Sequence, residues 1–181
     1  MPIPLHVSRG PLDLVDTMLE CHARIRNFVE VAKKIGTARG IAPSQISSAA
    51  ADVQRYLRHG LPLHVEDEEK SLIPRLRGRS SELDAALAAM EAEHREHEAP
   101  LARLLATMDE LMADPGAHAR LATEVTDAAE QLGSAFERHL GDEERRILPQ
   151  VRTLLSKSEQ AQILAELRAR RAPLPPGVAR V

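Results

Sequence analysis

HVEDEEKSLIPRL, residues 64–76, has a counterpart in HLGDEERRILPQV, residues 139–151. The two share His, Asp, Glu, Glu and Pro in register, a frame of the form H-x-x-D-E-E-x-x-Φ-Φ-P. Residues four apart on an α-helix are separated by about 6 Å along the axis and share a face, so His64 with Glu68, and His139 with Glu143, each aim an imidazole and a carboxylate the same way. On a solvated face such a pair is an ordinary ion pair worth a few tenths of a kcal/mol. Here Leu57 and Leu72 flank one pair at stripe positions, and Leu132 and Ile147 flank the other. A carboxylate buried without compensation costs several kcal/mol, so a polar patch inside an apolar stripe requires a shared partner. A metal cation fills that role.

Outward from the two frames, the chain reads as helix throughout. Pro11 can open a first helix that Gly36 ends, with Met18, Ile25 and Val29 in its apolar stripe and His22 among them. A second helix begins near Pro43 or Ser44 and carries the first frame; Gly60 and Pro62 inside it predict a kink or local bulge. Ser81 offers a cap for a third helix bearing Leu87, Met90, His94 and Leu105, interrupted at Pro100, where a bend is expected. The turn ADPGAH precedes a fourth helix that carries the second frame and ends near Pro149 or a turn or two beyond. Four amphipathic helices with short connections predict an all-α, up-down-up-down four-helix bundle over residues 1–155. Residues 156–181 then form a short extra helix, opened by the capping-box candidate Ser156 and Glu159, and a mobile Pro-rich tail.

Composition agrees. The chain has 181 residues, 43% hydrophobic and 28% charged, with one Tyr, two Phe and no Trp, so its core must be aliphatic. A net charge of −3 gives no electrostatic basis for binding nucleic acid, and no apolar run is long enough to span a bilayer. The single cysteine, Cys21, cannot form an internal disulfide, and the first residues lack a secretory pattern, so the cytoplasm is the expected location.

The candidate metal ligands are imidazoles and carboxylates without a thiolate cluster, a donor set for iron, manganese or zinc more than for calcium or magnesium. At least four histidines and two glutamates converge, more than one tetrahedral zinc uses, so two ions bridged by carboxylates fit the count. A ferritin-like site would need Glu-x-x-His on two helices, and only Glu91-x-x-His94 matches cleanly. Tyr56 could reach a metal if the Gly60–Pro62 irregularity turns the helix, although a half-buried aromatic is the plainer reading. His6 and His118 read as exposed, His59 as either exposed or supporting a metal ligand, and Cys21 as a packing residue. Asp67, Glu69, Asp142 and Glu144 read as a solvated face, with orientation of a ligand imidazole as the alternative.

Over roughly residues 12–150 the chain resembles the hemerythrin-like, or HHE cation-binding, family. The resemblance rests on His22, His64-x-x-x-Glu68, His94 and His139-x-x-x-Glu143 on successive helices. It implies two iron ions in an oxo- or hydroxo-bridged non-haem centre, bridged by Glu68 and Glu143, with His22 and His64 on one iron and His94 and His139 on the other. Oxygen-carrying members have a second histidine four residues after the first on the third helix. This chain has Glu98 there and His97 one position earlier, so either Glu98 supplies an oxygen ligand, as spacing favours, or His97 swings in. An oxygen-rich shell favours the ferric state and hence binding or sensing of dioxygen, nitric oxide or peroxide over reversible oxygen carriage. The rival expectations are an enzyme that removes peroxide or nitric oxide and a metal-free helical interaction module.

Overall fold

The computed structural model describes residues 13–172; Pro11, His6 and residues 173–181, where the tail was expected, lie outside the described residues. Helix α1 is Leu14–Thr37, and the Asp13 side chain caps it by accepting the Asp16 N–H at 2.8 Å. Helix α2 runs without a break over residues 43–76, with Pro43 at its first turn. Helix α3 is Ser81–Ala113; its cap is Ser80, one residue before the serine expected, and Pro100 sits inside without ending it. After a 3₁₀ turn at Pro115–Ala117, helix α4 covers residues 118–154. Helix α5, Lys157–Arg171, opens with the expected capping box between Ser156 and Glu159. The first four helices form an antiparallel bundle in which α1 packs on α2 and α4, and α3 on the same two; α5 lies against α1 and α2.

The bulge expected in α2 is a π-helical turn, Tyr56–Gly60, and both frames carry one more, at Glu68–Leu72 and Glu143–Ile147. In all three, the residue just before a proline donates its N–H five residues back: Leu61 to Tyr56, Ile73 to Glu68, Leu148 to Glu143. The cause is local. A proline in a helix has no N–H to give and its ring crowds the carbonyl four residues earlier, a penalty of about 3 kcal/mol in a regular α-helix. Lengthening the preceding turn by one residue moves that carbonyl aside without breaking the helix. The closing prolines, Pro74 and Pro149, thus explain why each ligand-bearing frame has the same wide turn beginning at its central glutamate.

The apolar core is in two parts. One holds Ile25, Val29, Leu57, Leu104, Leu132 and Phe136; the other holds Met18, Leu72, Leu87, Met90, Ile147 and Val151, joined by Ile163 and Leu167 of α5. At Gly36, where α1 lies against α4, a Cβ would come within 2.8 Å of the Thr126 backbone nitrogen, so only glycine permits this approach. Between the two apolar parts lies a buried polar belt of His22, His64, Asp67, Glu68, Ser71, His139 and Glu143.

Candidate metal centre

Each of the four bundle helices sends an imidazole into the belt: His22 from α1, His64 from α2, His94 from α3 and His139 from α4. The wide turns of α2 and α4 begin at Glu68 and Glu143, whose carboxylates complete it. Two ligand groups result, His22, His64, Glu68 and Glu143 in one, Glu68, His94 and His139 in the other, the donor atoms of each within 4.8 Å of one another. Glu68 belongs to both: its Oε1 lies 3.0 Å from His64 Nε2 and its Oε2 3.0 Å from His94 Nε2. Glu143 Oε2 lies 2.9 Å from His22 Nε2.

These approaches are close but not aligned as hydrogen bonds. Among the described residues, the fully buried side-chain nitrogens and oxygens left without a hydrogen-bond partner are eight atoms of His22, His64, Glu68, His94 and Glu143. Each such atom costs about 1–3 kcal/mol in a protein interior, more when charged, so a cluster of them is not sustained by the polypeptide alone. Two cations sharing Glu68 could take up all of them except one nitrogen of His64, since an imidazole binds an ion through a single ring nitrogen, and the imidazole and carboxylate donors suit a transition metal.

The charges point the same way. Burial favours the neutral form of Glu68, yet His64 and His94 beside it hold its carboxyl well below the usual range. Burial, and then the charge on Glu68, push Glu143 up to about 7. Two carboxylates this close in a dry belt do not both ionise readily without added positive charge. Burial opposes protonation of His64, but the Glu68 carboxylate holds it well above the ordinary imidazole value.

Outside the belt, three of the four imidazoles are fixed through Nδ1 by a carboxylate: His22 by Glu144, His94 by Glu69 and His139 by Glu93, each at 2.8 Å. Such a bond sets tautomer and ring orientation. Glu144 is itself held by Arg26 at 2.7 Å. His64 has the Cys21 thiol as its neighbour instead. Glu69 and Glu144 thus take the orienting role that the sequence left as the alternative, and Glu93 was not singled out at all. No local signal marks it, because its partner His139 comes from another helix. The solvated-face reading fails for Asp67, which is buried beneath Arg170 at 2.8 Å and Arg171 at 2.5 Å, both from α5.

Glu98, the residue favoured by spacing, is exposed and outside both ligand groups, though it borders a cavity of about 530 Å³ that also meets His64, His94 and His139. His97 lies buried on the wall of that cavity, edge-on to Phe136 and His139. Burial, then His139 and His94 beside it, push His97 down to about 4. Tyr56 stacks on Phe28 at 4.2 Å, and burial raises its phenol. His59 is exposed; His118, part-buried, bonds through Nε2 to the Ile35 carbonyl at 2.6 Å, a helix-end contact in place of the expected exposure.

No helix among the described residues is long and apolar enough to cross a membrane. No curated protein matches the sequence significantly. The model of the hemerythrin HHE cation-binding domain matches residues 13–170, from the cap of α1 almost to the end of α5, with every residue of both ligand groups inside the match. With imidazoles from four helices gathered around a shared glutamate, the chain belongs to the hemerythrin HHE cation-binding family.

Proposed function

We propose that this protein is a non-haem di-iron protein that binds or senses dioxygen, nitric oxide or peroxide. The observation that carries the reading is the set of buried, unpartnered donor atoms on His22, His64, Glu68, His94 and Glu143, divided between two groups that share Glu68. His22, His64, Glu68 and Glu143 would hold one ion; Glu68, His94 and His139 would hold the other. Iron, when bound, supplies a redox couple and a Lewis acid for small oxygen- or nitrogen-containing ligands. The protein's part is to keep the imidazoles oriented through Glu144, Glu69 and Glu93, and to exclude bulk water with apolar core on both sides of the belt. Glu98 is the proposed seventh ligand only if its exposed side chain turns inward from the cavity rim.

The cavity against His94 and His139 supports a second reading, in which the same centre consumes peroxide or nitric oxide. The metal-free module fits poorly with eight unsatisfied buried atoms. Anaerobic reconstitution with ferrous iron, followed by metal counting and absorption spectra before and after admitting air, tests the proposal. Two irons per chain and new near-ultraviolet bands are expected; substoichiometric iron and an unchanged spectrum would defeat it.

A further inference from the structure

The cavity beside the belt is far larger than the ligands considered so far require. A dioxygen or hydrogen peroxide molecule needs little more than the roughly 30 Å³ share of one liquid water. About 530 Å³ lies instead in the range of sites for small organic molecules, about 300–1,000 Å³. Its walls are hydrocarbon from four helices: Ile25, Leu61, Val65, Leu101, Phe136 and Leu140. Beyond the three imidazoles assigned to the metal centre, the buried polar group on its wall is His97, which is 8% exposed and hydrogen-bonds no other described residue. Away from the metal centre, the rim sets Glu66, Glu69 and Glu98 against one cation, Arg95, a balance that disfavours an anionic ligand when no ion is bound.

We propose that this cavity binds a neutral organic hydroperoxide, its hydrocarbon body against Leu101, Val65 and Phe136 and its O–O–H head between His97 and the ligand group of His94 and His139. An imidazole can donate to or accept from such a head, and the apolar walls give the body a place out of water. The position of the head rests on the di-metal reading above; the site for the body does not.

The test is a titration of the full-length chain, as purified with its metal and after chelation, with 2-phenyl-2-propanol, which has the body of cumene hydroperoxide and no O–O bond. Calorimetry and side-chain NMR shifts report binding. Saturable binding with shifts at Val65, Leu101 and Leu140 is expected, weakened at least tenfold in Leu101→Trp and Val65→Trp, which fill the cavity. In His97→Phe the alcohol should bind no better than cumene, its hydrocarbon counterpart. The proposal is overturned by absence of saturable binding in folded, metal-bearing protein. It is equally overturned by binding indifferent to both cavity-filling variants, or, in the chelated protein, by tighter binding of 4-isopropylbenzoate than of the alcohol. Binding to a protein that never takes up two metals would uphold the cavity and defeat the di-iron reading; two metals bound with no alcohol bound would do the reverse.

Discussion

The two ligand groups use the same chemistry in unlike surroundings. The group of His22, His64, Glu68 and Glu143 has four protein ligands, all buried, and the adjoining turn of α2 is covered by α5, whose Arg170 and Arg171 clamp Asp67. The group of Glu68, His94 and His139 has three, two of which border the cavity, whereas of the first group only His64 does. Fewer protein donors beside an accessible space is the arrangement that separates reactive metal sites from purely structural ones. Under the proposed di-metal reading, that difference would give anchoring to the four-donor half, called closed below, and ligand exchange to the three-donor, open half, with Glu68 as the link.

The sharpest way to break that contrast is to remove the link. Glu68→Ala should abolish uptake at both halves, whereas Glu143→Ala should weaken the closed half and His94→Ala the open half, each leaving the other group's remaining donors in place. Metal counting by elemental analysis on the three variants decides it; equal losses in all three would mean that the halves are not separable.

Chelation should expose how much the belt relies on its ions. A ligand at about a thousand times its dissociation constant stabilises the native state by about 4 kcal/mol. For a domain of this size that is a fall of roughly 10 °C in melting temperature when metal is removed. A melting curve indifferent to chelator would contradict the reading of the eight unpartnered atoms.

The open half also predicts an acid limb of stability in the metal-stripped protein. His97 is held at about 4 in the fold against about 6.5 when free, so protons bind the unfolded chain more tightly. Its contribution is complete above about pH 6.5 and is lost as pH falls toward about 4. Denaturant titrations at pH 7 and 4.5 should show wild type losing more stability than His97→Phe; identical slopes would place the imidazole in water.

The smallest effects belong to the orienting carboxylates. Replacing Glu144, Glu69 or Glu93 by Gln should lower metal affinity about 10- to 100-fold, as loss of such partners usually does. Competition with a chromophoric chelator would measure it, with Glu144→Gln affecting the closed half and the other two the open half. Affinities unchanged in all three would reduce these bonds to surface contacts.

Much of this architecture was legible in the linear chain because helical periodicity is local. The repeated frame exposes His64, Glu68, His139 and Glu143 through spacing alone, and His22 and His94 through their places in apolar stripes. Gly60 and Pro62 announce a distortion in α2, since the lost N–H is a property of proline itself, but the wide turns before Pro74 and Pro149 were not foreseen. What stayed hidden was whatever depends on a neighbour brought in from far along the chain. Asp67 reads as a solvated acid until α5 covers it, and Glu93 reads as surface until His139 arrives from α4. Whether Glu98 or His97 faces inward depends on the rotation of α3 against its neighbours, where one position changes direction by about 100°. The sequence by itself determined which residues share a helical face, because that periodicity is local; only the packing of helices decided which faces meet, which acids lose their water, and how the two halves of the belt lie against a cavity.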